Sequence, residues 1–186
     1  MMTSSFKNHF LVAMPNLIDS FFYHSVVYLC EHDENGAMGI IINRPTRIKL
    51  TELFGHLNIS NNSDWVQSRT VLFGGPVKKD QGMVLHDGGP HWKSTLNIDE
   101  HLFLTTSSDI LPDLGSSKGP RNALVTLGYA GWGEGQLEQE LAENSWLTVP
   151  ASHSLLFETP AEQRWEASAK LLGVDIHLMS NSTGHA

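Results

Sequence analysis

Cys30 and His32 lie two residues apart, and in a β-strand that spacing puts both side chains on one face. A thiol beside an imidazole is how cysteine nucleophiles are built: the imidazole takes the proton and the thiolate attacks. The neighbours favour a plainer role. Glu31 disfavours a second negative charge, and a mid-strand site among apolar residues suits an inert core thiol. Glu134, Glu138 and Glu140 form the second set. Glu134 with Glu138, or Glu138 with Glu140, could act as acid and base. At the start of a helix, however, the positive end of the dipole accounts for carboxylates without any chemistry.

Ten histidines invite a metal reading, but H-E-x-x-H, C-x-x-C and H-x-H are absent, so neither a metal nor a cofactor is expected. G-x-S-x-G is absent too, which removes the usual serine-hydrolase signature. Tyr129 and Trp132 sit among Gly128, Gly131, Gly133 and Gly135, with Trp146 nearby. Such aromatics either fill a core or line a recognition patch. Tyr129, Trp132, Glu134 and Glu138 are therefore the candidate binding residues, and no catalytic residue is assigned.

These residues require elements to hold them. Residues 123–127 read as a buried strand, 128–135 as a glycine turn, 136–144 as a helix and 146–149 as a further strand. A glycine turn opening a helix resembles a phosphate cradle, but Glu134 stands where the phosphate would sit and no lysine is near. Upstream, 8–14 is a strand, and 25–32 and 37–43 form a hairpin around Asn35-Gly36. The second of these strands is apolar on both faces and so central. Leu50, Leu53, Phe54 and Leu57 have the spacing of a short amphipathic helix, followed by a polar loop at 60–64. Further strands are expected at 70–73, 81–86 and 102–106, and a short helix runs to Leu114. Residues 154–157 fit either a strand or a helical turn. Thr159-Pro160-Ala161-Glu162 reads as a capping box opening a helix with Trp165, Ala169 and Leu172 on one face, stopped by Gly173. The polar segment 180–186 is expected to be a mobile tail. The plan is mixed α+β.

A length of 186 residues suits a single domain. One cysteine excludes an internal disulfide and fits a reducing cytoplasm, and no apolar run is long enough to span a membrane. The net charge is −8, and 122–163 holds six Glu with no Lys or Arg. Basic residues cluster only at Arg44, Arg47 and Lys49 and at Lys78-Lys79. A duplex partner needs a basic face, so direct nucleic-acid binding is not expected.

The blocks FFYHSVVYLCEHDENGAMGIIINRP, FGGPV, GMVLH and GYAGWGEGQLEQELAENSWL, in that order, resemble the AlgH/YqgE-like bacterial proteins. The resemblance runs from residue 8 to about 184. It departs where the family carries an arginine and an aromatic before VLH: Gln81-Gly82-Met83 stands there. It implies an α+β fold with a bifurcated, partly barrel-like sheet surrounded by helices. Members are mostly labelled uncharacterised, and some carry the name of a transcriptional regulator. The expectation that follows is a cytoplasmic, non-enzymatic binding or regulatory protein acting through protein partners or a small ligand. The alternatives are a transcriptional regulator, and an enzyme using Cys30/His32 or the Glu134–Glu140 carboxylates.

Overall fold

The computed structural model describes residues 4–17 and 21–182. In chain order the elements are β1 (His9–Ala13), β2 (Val26–Asp33), β3 (Gly36–Ile41), β4 (Pro45–Lys49), α1 (Leu50–His56), α2 (Asp64–Gln67), β5 (Thr70–Phe73), β6 (Val77–His86), β7 (Thr95–Asn97), β8 (Phe103–Thr105), β9 (Ala123–Trp132), α3 (Gln136–Ala142), β10 (Trp146–Pro150), α4 (His153–Phe157), α5 (Arg164–Lys170) and α6 (Ile176–Ser182). The fold is mixed α+β, as the periodicities require. The chain forms two compact units, Met1–Arg44 with Ala130–Ala186, and Pro45–Tyr129.

In the first unit the strand order is β10-β1-β2-β3 followed by the end of β9, all antiparallel. The expected hairpin forms, but Asp33 pairs with Gly36, so its loop residues are Glu34-Asn35 and Gly36 is the first residue of β3. One face of this sheet packs Leu11, Val27, Leu29, Ala37 and Trp132 against Leu137 of α3. Helix α5 covers β1, β2 and β10, and the buried Trp165 donates its indole N–H to the carbonyl of Ala13 at 2.9 Å. Two covered faces explain why residues 26–30 of β2 are buried on both sides.

The Pro45–Tyr129 unit contains β4, β5, β9, β6, β8 and β7 in that order, with β5 parallel to β9 and the other pairs antiparallel. Its core joins Leu50 and Phe54 of α1 to Val71, Val84, Trp92, Ile110 and Val125. Within β9 the partners change: Thr126 and Leu127 pair with β5, whereas Ala130–Trp132 pair with β3, which is the bifurcation of the sheet.

Several sequence expectations need correction. Residues 128–132 are not a turn; β9 continues through Gly128 to Trp132, and only Gly133–Gly135 turn. Gly128 keeps the strand going at φ +79, where a Cβ would lie 2.3 Å from the carbonyl oxygen of Gly75. Pro45 opens β4, a strand that the periodicities do not predict, since the first residue of a strand tolerates a missing N–H. The polar loop covers 60–63, and Asp64 instead opens a helical turn, Asp64–Gln67, capped by Ser63. The Thr159 capping box does not form: its hydroxyl turns to the carbonyl of Ser154, and a 3-10 turn at Ala161–Gln163 precedes α5. That start leaves Leu172 exposed, off the Trp165–Ala169 face. Residues 154–157 resolve as helix α4. Of the expected tail, the backbone to Ser182 belongs to α6, and 183–186 lie outside the described residues.

Candidate functional site

Cys30 and His32 do not share a face. A bulge shifts the register of β2 against β3 between Leu29 and Glu31. Cross-strand partners point the same way, and His32 pairs with Ala37, which lies in the Leu29 and Trp132 cluster. His32 thus joins the α3 side, while Cys30 is buried and its thiol sits 3.7 Å from the carbonyl of Tyr28. Burial, with Glu31 second, pushes that thiol far above its ordinary range.

Both nitrogens of His32 are occupied. Nδ1 accepts from the main-chain N–H of Phe6 at 2.9 Å, which places the proton on Nε2, and Nε2 donates to Glu138 Oε1 at 2.5 Å. No lone pair remains on the ring to take a substrate proton. The other α3 carboxylate is equally committed. Glu140 Oε1 accepts the indole N–H groups of Trp132 (3.1 Å) and Trp146 (2.9 Å), and Oε2 accepts from Gln136 at 2.9 Å. Trp132 is buried and Glu134 is exposed in the turn. Tyr129, half-buried, belongs to the Pro45–Tyr129 unit, opposite Val77. Among the described residues no three His, Cys, Asp or Glu side chains converge as metal ligands.

A cavity of about 390 Å³ opens elsewhere in the first unit, between the residues before β2, those after β3, and α5 with α6. Tyr23, His24, Ser25, Asn43, Arg44, Glu162, Trp165, Glu166 and His177 contribute to its lining. His24 adopts φ +54, a conformation costly for a residue with a Cβ. Asn43 helps to fix it there, donating from Nδ2 to the His24 carbonyl at 2.8 Å while its Oδ1 accepts from Val26 N at 2.9 Å. The imidazole is held between two rings, 3.7 Å from Trp165 and 3.8 Å from Tyr23, centroid to centroid. Arg44 donates from Nη2 to Ser25 Oγ at 2.9 Å and to the Tyr23 carbonyl at 3.4 Å, with its guanidinium 5.0 Å from the centre of the Phe21 ring. His177 Nε2 meets Glu166 Oε1 at 2.8 Å.

Burial first, and His177 second, hold His24 below its ordinary pKa of 6.5. Burial also lowers the pKa of Arg44, which remains cationic at neutral pH. The Pro45–Tyr129 unit has a smaller cleft of about 190 Å³, lined largely by aliphatic side chains such as Leu53, Leu111, Val125 and Leu127. Sequence reasoning placed Arg44 in a basic cluster but passed over His24 and Trp165. Their only linear signal was residue type; left-handed backbone at a histidine has no sequence signature.

A family model described as AlgH-like matches residues 10–177. The chain is 50% identical over 184 residues to a UPF0301 protein of Thioalkalivibrio sulfidiphilus, covering 99% of this chain and 98% of that one. It is 48% identical to a UPF0301 protein of Stenotrophomonas maltophilia, over 98% of this chain and 97% of the relative. The solution structure of the AlgH protein from Pseudomonas aeruginosa superposes with a TM-score of 0.79 at 43% identity, covering 100% of this chain and 98% of that one. A crystal structure from Corynebacterium diphtheriae, at 20% identity and a TM-score of 0.71, covers 93% of this chain and 90% of that one and shares the fold. The fold, the relatives and the matched span agree, and the chain belongs to the AlgH-like family.

Proposed function

We propose that this chain is a binding or regulatory protein of the cytoplasm, not an enzyme, that works as one AlgH-like domain through a small ligand or a protein partner. Its recognition site in this reading is the pocket around His24, Arg44 and Trp165. The observation that carries it is His24: a non-glycine residue at φ +54, bonded by Asn43 and stacked between two rings at the wall of a 390 Å³ cavity. Backbone strain persists where the surroundings over-determine it, and it concentrates at ligand clamps. Tyr129, Trp132, Glu134 and Glu138, the residues first favoured for binding, are secondary in this reading. Trp132 and Glu138 are already taken up by protein contacts.

A net charge of −8 argues against duplex DNA as the direct partner, so any regulatory role would act through protein or ligand contacts. Equilibrium dialysis against a deproteinised bacterial extract, followed by mass spectrometry, tests the pocket. The wild-type chain should retain a small molecule that His24→Gly, freed of both strain and stacking, does not. Equal retention by the two proteins, or none by either, would overturn this reading.

A further inference from the structure

We propose that the His24–Arg44–Trp165 pocket takes a small organic molecule bearing a single carboxylate, with Arg44 as its anchor; this rests on that pocket being the recognition site. A guanidinium donates from Nε, Nη1 and Nη2. Both protein bonds of Arg44 leave Nη2, and both end on neutral oxygens, Ser25 Oγ and the Tyr23 carbonyl. Among the described residues Nε and Nη1 reach no acceptor, and no carboxylate pairs with the group. Among the described residues this half-buried cation has exchanged water for neutral oxygens, with no carboxylate as its counter-charge. An incoming carboxylate supplies the missing acceptors through charge-assisted hydrogen bonds.

The pocket's acids decide which anion fits. Glu162 and Glu166 are exposed on the α5 side, and Glu166 is engaged by His177. A phosphate dianion or a dicarboxylate would meet one permanent cation and two carboxylates. Arg44 alone balances a monocarboxylate, whereas the second charge of a dianion finds no further permanent cation among the lining residues and faces the two glutamates, so the lining selects against higher charge. His24 and His177 line the same pocket, with the half-exposed Tyr23 beside them. Tyr23, His24 and Trp165 line the pocket, and the half-exposed Tyr23 ring offers aromatic surface for the body of the ligand.

The test is a titration of the ¹⁵N-labelled full chain with benzoate, with benzamide as its uncharged isostere, and with inorganic phosphate, all at fixed ionic strength. Benzoate should shift the amide signals of His24, Arg44 and Trp165 saturably, with the other two probes at least roughly 10-fold weaker. Arg44→Gln should lower benzoate affinity roughly 10–100-fold. If Arg44→Gln does not fold, Glu162→Gln carries the test, because a less acidic rim should raise phosphate affinity relative to benzoate. Benzamide binding as tightly as benzoate, phosphate binding tighter, an unaffected Arg44→Gln, or an unchanged ratio in Glu162→Gln would each overturn the carboxylate assignment and leave the pocket standing. Silence of these signals toward all three probes would overturn both.

Discussion

Gly128, Gly133 and Gly135 lie within eight residues of one another, yet alanine should cost something different at each. At Gly128 two penalties combine. Its φ of +79 is strained for any residue with a Cβ, by roughly 1–2 kcal/mol. The added carbon would also sit 2.3 Å from the Gly75 carbonyl oxygen and 3.2 Å from that of Val77, both backbone atoms that cannot swing aside. Together these should destabilise by roughly 3 kcal/mol or more. Gly135 has φ +72 but open space around the Cβ position, so only the backbone term applies, about 1 kcal/mol. Gly133 is outside the left-handed region, and its nearest atom, Gln136 Oε1, is 3.9 Å away. Alanine there should leave stability unchanged or raise it by roughly 0.4–1 kcal/mol through the unfolded chain. Urea unfolding followed by tryptophan fluorescence measures all three. Trp65 and Trp92 report on the unit holding Gly128, and Trp132, Trp146 and Trp165 on the unit holding the other two. A Gly128→Ala protein within about 0.5 kcal/mol of wild type, or a Gly133→Ala protein that is the least stable, would refute the reasoning.

Trp132→Ala should cost roughly 3–5 kcal/mol in the same assay, since it empties a buried ring site; a near-neutral result would return Trp132 to the list of surface binding residues. Cys30 should resist thiol reagents at neutral pH until the protein unfolds, and Cys30→Ala should cost roughly 1–2 kcal/mol; rapid labelling of the native protein would contradict its burial. His86 is buried, its Nδ1 2.7 Å from the Asp87 carbonyl and its Nε2 2.7 Å from Thr105 Oγ1. Burial holds its pKa below the ordinary 6.5, outweighing the opposite pull of Asp87. Below about pH 6.5 the unfolded chain therefore binds a proton that the native chain refuses, so the contribution of His86 is complete above that pH and declines as the pH falls toward the native pKa. His24 shifts the same way, so His86→Gln should shrink but not abolish the loss of urea resistance between about pH 7.5 and 5.5. A stability that is flat across that window in the wild type would show the assignment to be wrong.

Local chemistry made much of this chain legible. The Asn35-Gly36 hairpin, the short helix carrying Leu50 and Phe54, the helix after Gly135 and the stop at Gly173 are written in neighbouring residues, because turn geometry and helical periodicity act over a few positions. The buried thiol of Cys30 followed from its apolar neighbours. The α+β class and the family followed from pattern and from motif blocks. Tertiary contacts decided the rest. Gly128 looked like a turn residue, but its left-handed backbone lets β9 pass close to Gly75 and continue as far as its pairing with β3. The bulge in β2 turned His32 from Cys30 toward Glu138, a change of face that depends on register with β3 and not on the order of residues. Glu140 looked like a solvated helix-start carboxylate until Trp132 and Trp146 supplied it with two indole N–H donors. The pocket is the extreme case. Its lining comes from residues 23–25, 43–44, 161–166 and 177, segments that a linear reading has no reason to join. Sequence by itself determined the α+β class, several of the elements, the charge and the family. Which polar groups satisfy one another, and which cation meets no carboxylate among the described residues, was decided only when strands far apart in the chain were brought into register.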